Sequence, residues 1–235
     1  MTIIQSVSNS AGLNLSTEEY LFTHREDEIL FLYVNEPCVV IGHNQHVMSE
    51  VNSQFCSKND ISIYKRISGG GTVFHDLGNL NYCFISNRRQ GKSPLQADFL
   101  KIMVDVLQDL QIDAVIGKRN DLWLPGGHKI SGTASHITKN RELHHGTLLY
   151  DSNLECLEKS LCPNGEETKF STVASVHSPV KNIRSYLIDQ KADAPEASAF
   201  FRLVLNKLLN LYRLDSVTEL NPDMTPQIKP LDPIY

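Results

Sequence analysis

No apolar run in this sequence is long enough to cross a bilayer, so nothing in it reads as a membrane-spanning helix. Internal repeats and low-complexity tracts are also missing, which removes solenoids, propellers and fibrous arrays. Cysteine is scarce: Cys38, Cys56, Cys83, Cys156 and Cys162 are odd in number, scattered, and form no C-x-x-C pair. That pattern fits neither a secreted disulfide framework nor a zinc site, and leaves free thiols as the simpler expectation. Neither of the two common nucleotide fingerprints, G-x-G-x-x-G and the Walker A loop, occurs. Strong charge is lacking too. Lys+Arg 22 against Asp+Glu 27 gives −5 over 235 residues, so neither nucleic acid nor a membrane surface is an expected partner. The opening Met-Thr-Ile-Ile-Gln-Ser has no basic or apolar leader segment, so cytoplasm is the expected location, or mitochondria if a presequence has been removed.

What is present is an ordinary globular composition, 41% hydrophobic and 21% charged, long enough for one large domain. A first helix is expected to follow Asn14, with Asn14 or Ser16 as cap and Glu18 and Glu19 in its first turn. Ile29 to Val34 and Cys38 to Ile41 read as two strands around Asn35-Glu36-Pro37. The polar stretch from Val47 to Lys58 is a weak helix. Ile61, Ile63, Lys65 and Ile67 alternate with Ser62, Tyr64 and Arg66, the period of a strand, and Leu80 to Ile85 adds another. Leu95, Phe99, Ile102, Met103, Val106, Leu107 and Leu110 recur at helical spacing, as do Phe200, Phe201, Val204, Leu205, Leu208 and Leu209. Short strands are expected at Ile112–Ile116, Asp121–Leu124, Lys129–Ser131 and Gly146–Tyr150. Strands joined by turns, with few helices between them, predict an α/β (α+β) domain rather than a doubly wound one. After Leu220 the prolines forbid regular structure.

Two stretches carry chemistry. Arg66-Ile-Ser-Gly-Gly-Gly-Thr-Val-Phe-His-Asp-Leu-Gly-Asn79 places three glycines after a strand, where bare backbone N–H groups can approach a phosphate or carboxylate. A glycine hairpin or bulge is the plain alternative. Arg119-Asn-Asp-Leu122 precedes Gly126-Gly-His-Lys-Ile-Ser-Gly-Thr-Ala134. There Lys129 can lie along a phosphate and Asp121 can hold Mg²⁺ beside it, unless Lys129 is simply a surface lysine in a turn. Adjacent His144 and His145 point to opposite faces of a strand, so they do not make a metal pair.

Taken together, these elements resemble the lipoate–protein ligase family of the biotin/lipoate ligase superfamily. Asn14-Leu15 with Glu18-Glu19, Val39-Val-Ile-Gly42 and His145-Gly-Thr-Leu148 extend the resemblance over nearly the whole chain. The resemblance implies a mixed, largely antiparallel central sheet flanked by helices, similar to the class II aminoacyl-tRNA synthetase core. It implies a catalytic domain over residues 1–220, with 221–235 as a proline-rich linker stub and the accessory C-terminal domain absent. It also implies activation of lipoate by ATP and Mg²⁺ to lipoyl-AMP, transfer to a lysine of a lipoyl domain, or both. The acceptors implied are the apo lipoyl domains of 2-oxoacid dehydrogenase acyltransferase subunits and glycine cleavage H protein.

By position, Arg66, Ser68, Gly69, Gly70 and Gly71 would wrap the acyl-adenylate, with Val73, His75 and Asn79 at its adenosine end. Asn120 and Asp121 would lie near the phosphate, Asp121 holding the metal. Lys129 would meet the lipoyl carbonyl and the phosphate, with Arg66 adding donors. Leu15, Tyr33, Val40 and Gly42 would line the lipoyl tunnel, and Ser131, Gly132 and Ala134 its floor. Two departures mark this chain. It ends in what looks like the linker, so adenylation would be slow alone or need an accessory-domain polypeptide. It also lacks the cysteine that octanoyltransferase relatives use near residues 117–121, which disfavours a thioester route. A carrier-dependent octanoyl or lipoyl acyltransferase and a non-catalytic lipoate or adenylate binder stay open beside the ligase.

Overall fold

The computed structural model describes residues 1–88, 96–162, 174–220 and 226–234. The chain begins with β1 (Thr2–Ser6), α1 (Ala11–His24), β2 (Ile29–Tyr33), β3 (Cys38–Ile41), α2 (Val47–Glu50) and α3 (Ser53–Lys58). Next come β4 (Ser62–Lys65), β5 (Val73–His75), β6 (Asn79–Asn87), α4 (Gln96–Asp109), β7 (Val115–Ile116) and β8 (Leu122–Leu124). The remainder is β9 (His128–Ser131), β10 (Thr133–Ile137), β11 (Arg141–Leu149), α5 (Leu154–Ser160), α6 (Ile183–Asp189), α7 (Ala197–Tyr212) and β12 (Thr218–Leu220).

A six-stranded sheet in the order β10-β11-β6-β2-β1-β12 forms the centre. Its pairs from β10 to β2 are antiparallel, and β1 pairs parallel to both β2 and β12. Both faces of the middle strands are covered, which is why they read as near-continuous apolar runs. Along β2, Leu30 and Leu32 turn to the face covered by α4 and α7, where they meet Met103, Leu107, Val204 and Leu208. Ile29, Phe31 and Tyr33 turn to the other face, against Leu21 and Phe22 of α1. β6 splits the same way, Tyr82 and Phe84 to the first face, Cys83 and Ile85 to the second. Each of these fully buried apolar side chains contributes about 1.5–3 kcal/mol relative to exposure. Among the described residues no helix is long and apolar enough to cross a membrane.

The mixed, largely antiparallel sheet expected from the sequence is present, with several local differences. β2 and β3 do not form a hairpin: β3 joins a separate three-stranded sheet, β4-β3-β5, and β7-β8-β9 make a third. The first helix begins at Ala11, capped by Ser10, whose Oγ accepts from the Leu13 N–H at 3.4 Å. Asn14 and Ser16 are therefore inside the helix and cap nothing, because Asn14, Thr17 and Glu18 are polar residues on its buried face. The stretch from Val47 to Lys58 divides into α2 and α3, and only Val115–Ile116 of the Ile112–Ile116 segment is strand. Leu95 lies outside the described residues, as do 221–225 and Tyr235. The proline-rich residues 226–234 form no regular element, yet they pack on the domain. The Leu231 N–H donates to the Gly12 carbonyl at 3.1 Å, and that of Ile234 to the Ile63 carbonyl at 2.8 Å.

Candidate functional site

The three sheets converge on one cavity of about 310 Å³. One wall is apolar, formed by Leu15, Tyr33, Val40 and Val73. The glycine loop contributes Gly70, Gly71 and Thr72; Arg119, Asp121, Lys129, Gly132 and Ala134 also line the cavity, as do Ala174, Ser175 and Val176.

The loop is held from behind by Arg66. The residue is 7% exposed, and its guanidinium donates to Ser68 Oγ (2.9 Å), Val40 O (3.0 Å), Gly69 O (2.7 Å) and Gly71 O (2.6 Å). Burial lowers its pKa to about 10, with Glu18 and Tyr33 acting the other way. Gly70 sits at φ +83, in the left-handed region, and a Cβ there would press on Ala134 Cβ at 2.9 Å. Gly42 does not line the cavity. A Cβ on it would collide with the Gly70 carbonyl, so the missing side chain seats the loop instead.

Beneath the loop lies a buried polar chain. Ser68 Oγ is 2.7 Å from His145 Nε2, and His145 Nδ1 is 2.9 Å from Glu18 Oε2. Glu18 also accepts from the Tyr33 hydroxyl at 3.0 Å. Glu18, Cys83 and His145 offer ligand atoms within 4.8 Å of one another, a spacing a metal could use. The carboxylate there is already engaged by Tyr33, His145 and the Cys83 thiol, so a hydrogen-bonded network accounts for the cluster. His144 faces away, toward Glu142 (3.2 Å) and Ser135 (2.8 Å), as strand alternation requires.

Also on the cavity wall, Lys129 Nζ lies 3.4 Å from Asp121 Oδ2, and Arg119 Nη2 lies 3.8 Å from the same oxygen. Burial lowers the Lys129 pKa, while Asp121 opposes that shift. Burial raises that of Asp121, but the Trp123 indole N–H and Lys129 outweigh it, and the carboxyl ends below its usual value. Asp121 Oδ2 is buried and takes no hydrogen bond of normal geometry. The Lys129 backbone is clamped on both sides: its N–H donates to Pro179 O (2.8 Å) and its carbonyl accepts from the Lys181 N–H (3.3 Å).

Of the residues singled out in the sequence, the cavity wall thus includes Leu15, Tyr33, Val40, Arg66, Gly70, Gly71, Val73, His75, Asp121, Lys129, Gly132 and Ala134. Ser68, Gly69, Gly42, Asn79, Asn120 and Ser131 do not line it: Ser68, Gly42, Asn79 and Ser131 are buried, Gly69 is half-buried and Asn120 is exposed. Asn79 Nδ2 donates to Asn81 Oδ1 at 3.0 Å, and it is Asn81 that reaches the wall. Ser131 Oγ is 3.1 Å from the Tyr82 hydroxyl. Asn120 adopts φ +57 and its carbonyl accepts from Thr133 Oγ1. Sequence reasoning passed over Asn81, Thr72, Thr133 and the Ala174–Val176 segment. Ser175 Oγ takes up donors from Gln45 Nε2 (3.0 Å) and the Thr72 N–H (2.9 Å), a tie across 103 residues that no local pattern announces.

A mixed sheet whose strand ends enclose a cavity, with apolar side chains, a glycine loop and a lysine–aspartate pair around it, is the arrangement the family comparison has to account for. The chain belongs to the lipoyl protein ligase A/B catalytic domain family, whose model matches residues 10–202. It is 34% identical over 200 residues to lipoate-protein ligase LplJ of Bacillus subtilis, covering 84% of this chain and 60% of that protein. The chain spans about half the length of the curated relatives it matches. The fold is similar to that of P. falciparum LipL1 in complex with lipoate, with TM-score 0.76, 24% identity, and coverage of 97% of this chain and 67% of that one. It is also similar to the bi-partite lipoate protein ligase of Thermoplasma acidophilum, with TM-score 0.74, 23% identity, and coverage of 94% and 87%.

Proposed function

We propose that this chain is the catalytic domain of a lipoate–protein ligase or lipoyltransferase. In this reading it activates lipoate with ATP to lipoyl-AMP, passes the lipoyl group to a lysine of an apo lipoyl domain, or does both. The acceptors are those of 2-oxoacid dehydrogenase complexes and glycine cleavage H protein. One observation carries the reading: an apolar wall and the Lys129–Asp121 pair share a cavity under the glycine loop. Membership of the family and the likeness to LplJ support it.

The chemistry follows from the residues. Leu15, Val40 and Val73 give an alkyl chain an apolar lining. A carboxylate is a poor electrophile, so its oxygen attacks the α-phosphorus of ATP and pyrophosphate leaves. The lysine amine of the acceptor then attacks the acyl carbonyl, AMP departs, and the amine loses its proton to solvent. Lys129, paired with Asp121 at 3.4 Å, offsets as a cation the charge that grows on carbonyl and phosphate oxygens. The buried Asp121 carboxylate at the cavity wall, whose Oδ2 has the ion pair with Lys129 but no hydrogen bond of normal geometry, fits Mg²⁺, which takes one or two carboxylates and completes its shell with phosphate and water. When bound there, Mg²⁺ would neutralise phosphate charge.

A carrier-dependent route through an enzyme thioester has less support: Cys38, Cys56 and Cys83 are buried with their thiol pKa values pushed up by burial, and no described cysteine lines the cavity. The five free cysteines suit a reducing compartment, cytoplasm or mitochondrial matrix.

The test is to incubate the full chain with an apo lipoyl domain and either lipoate, ATP and Mg²⁺ or preformed lipoyl-adenylate, and to weigh the acceptor by intact mass. A lipoyl adduct from both mixtures identifies a full ligase, and one from the adenylate alone a transferase. No adduct from either overturns the reading.

A further inference from the structure

His75 ends β5 at the cavity wall, 4% exposed, and its protonation is decided by two asparagines that do not touch the cavity. The chain of assignment starts at Asn14, whose Nδ2 lies 2.9 Å from Ser8 O and 3.4 Å from Val34 O. Backbone carbonyls only accept, so that atom of Asn14 is the amide nitrogen. The same Nδ2 lies 2.9 Å from a side-chain atom of Asn35, which must therefore be the oxygen, Oδ1. The other Asn35 terminus is then the NH₂ group, and it sits 3.0 Å from His75 Nδ1. A donor placed against Nδ1 requires a bare lone pair there, so the proton of the neutral ring is on Nε2. Among the described residues no other hydrogen bond engages the His75 ring, which leaves Nε2–H at the cavity wall.

We propose that Asn14 and Asn35 are positioning residues that lock His75 as a neutral Nε2–H donor, so that His75 hydrogen-bonds an acceptor atom of the bound acyl-adenylate and does not serve as the base for the incoming amine. The proposal rests on the functional reading above for the identity of the ligand, but not for the state of the ring. Both asparagines are fully buried, at 0% exposure, so neither exchanges its partner for water. The groups facing His75 agree with the lock. Arg66 and His145 approach from other elements, Cys38 pairs with it across β3, and burial followed by Arg66 and His145 lowers its pKa to about 3. A ring that accepts at Nδ1 and carries its only proton on Nε2 cannot take a second proton without facing the Asn35 NH₂.

The experiment reads the ring directly. Histidine ¹⁵N correlation spectra of the full chain, with His75 assigned by the signal lost in His75→Gln, are recorded from about pH 5 to about pH 8. Expected is an Nε2-bound proton with a bare Nδ1, unchanged over that range. A proton on Nδ1, or a titration centred near the ordinary histidine value, would overturn the lock. Asn35→Asp keeps the size and the acceptor for Asn14 but presents no donor to Nδ1. Its His75 should gain an Nδ1 proton, and affinity for lipoyl-adenylate should fall on the order of tenfold. A His75 in that variant still bare at Nδ1 would show that Asn35 does not set the tautomer. The wild-type spectrum decides alone if Asn35→Asp fails to fold, and it stands whether or not the chain lipoylates anything.

Discussion

The Arg66 guanidinium reaches across its own loop to the Gly71 carbonyl five residues on, Nη2 donating at 2.6 Å while it also serves Gly69 O at 2.7 Å. A buried arginine that donates to the carbonyls of Gly69, Gly71 and Val40 ties its loop together and to β3. Arg66→Lys keeps the charge but not the planar fork, so at least two of these carbonyls lose their donor. Each unsatisfied buried group costs about 1–3 kcal/mol. The expected outcome is a lowered denaturation midpoint and faster proteolytic cleavage at residues 68–72. Unchanged cleavage and stability would show that the loop holds itself.

Lys129 and Asp121 should separate the two half-reactions. Lys129→Ala removes the cation that meets developing charge, and transfer from preformed lipoyl-adenylate should slow on the order of a hundredfold or more with the fold intact. Asp121→Asn keeps the shape but weakens the site for Mg²⁺, so pyrophosphate release from ATP should suffer more than transfer. Equal losses in both assays would mark Asp121 as structural.

How far the sequence carried can be judged at single residues. Val40, Val73, Lys129 and the glycines were legible because contiguous motifs put them within a few residues of one another. The helix over α4 and the one over α7 were legible because an apolar stripe repeats at their period. α1 was misplaced by four residues because its buried face carries Asn14, Thr17 and Glu18, the polar types that ordinarily mark a helix start. Gly42, Asn79 and Ser131 sit in the same motifs but do not line the cavity, since a motif does not record which side of the backbone faces it. Ser175 and Asn81 were missed for a different reason. Their roles depend on Thr72, Gln45 and Asn79 partners fixed only by the folded topology.

Stability should fall with acid well before the carboxylates titrate. Burial, opposed in part by Glu142, depresses His144, and burial with Arg66 and His145 brings His75 to about 3. Above the ordinary histidine value both states are neutral and nothing is gained or lost. Below it the unfolded chain binds protons that the folded chain refuses, so unfolding becomes easier as pH drops below about 6.5, for His75 down toward about 3 and by up to about 1.4 kcal/mol per pH unit, with His144 acting in the same direction. Urea midpoints measured at steps of pH should show this slope, and His75→Gln should reduce it. A flat profile down to about pH 4 would contradict burial of neutral rings.

The hairpin that delivers Asp121 depends on Gly117. The Gly117 N–H donates to the Asp121 carbonyl at 2.7 Å, and a Cβ on Gly117 would fall inside contact distance of both Asp121 Oδ1 and Trp123 Nε1. Gly117→Ala must therefore push apart the aspartate and the indole N–H that helps hold its pKa down. Overpacking of this kind costs about 1–3 kcal/mol. Because Trp123 is the one tryptophan in the chain, intrinsic fluorescence reports on this contact without labelling. Expected are a shifted emission maximum in the native state, a lower urea midpoint, and weaker Mg²⁺-dependent release of pyrophosphate as the carboxylate leaves its place beside Lys129. A variant with wild-type emission and wild-type stability would mean that the turn opens freely and that the close approach at Gly117 does not position Asp121.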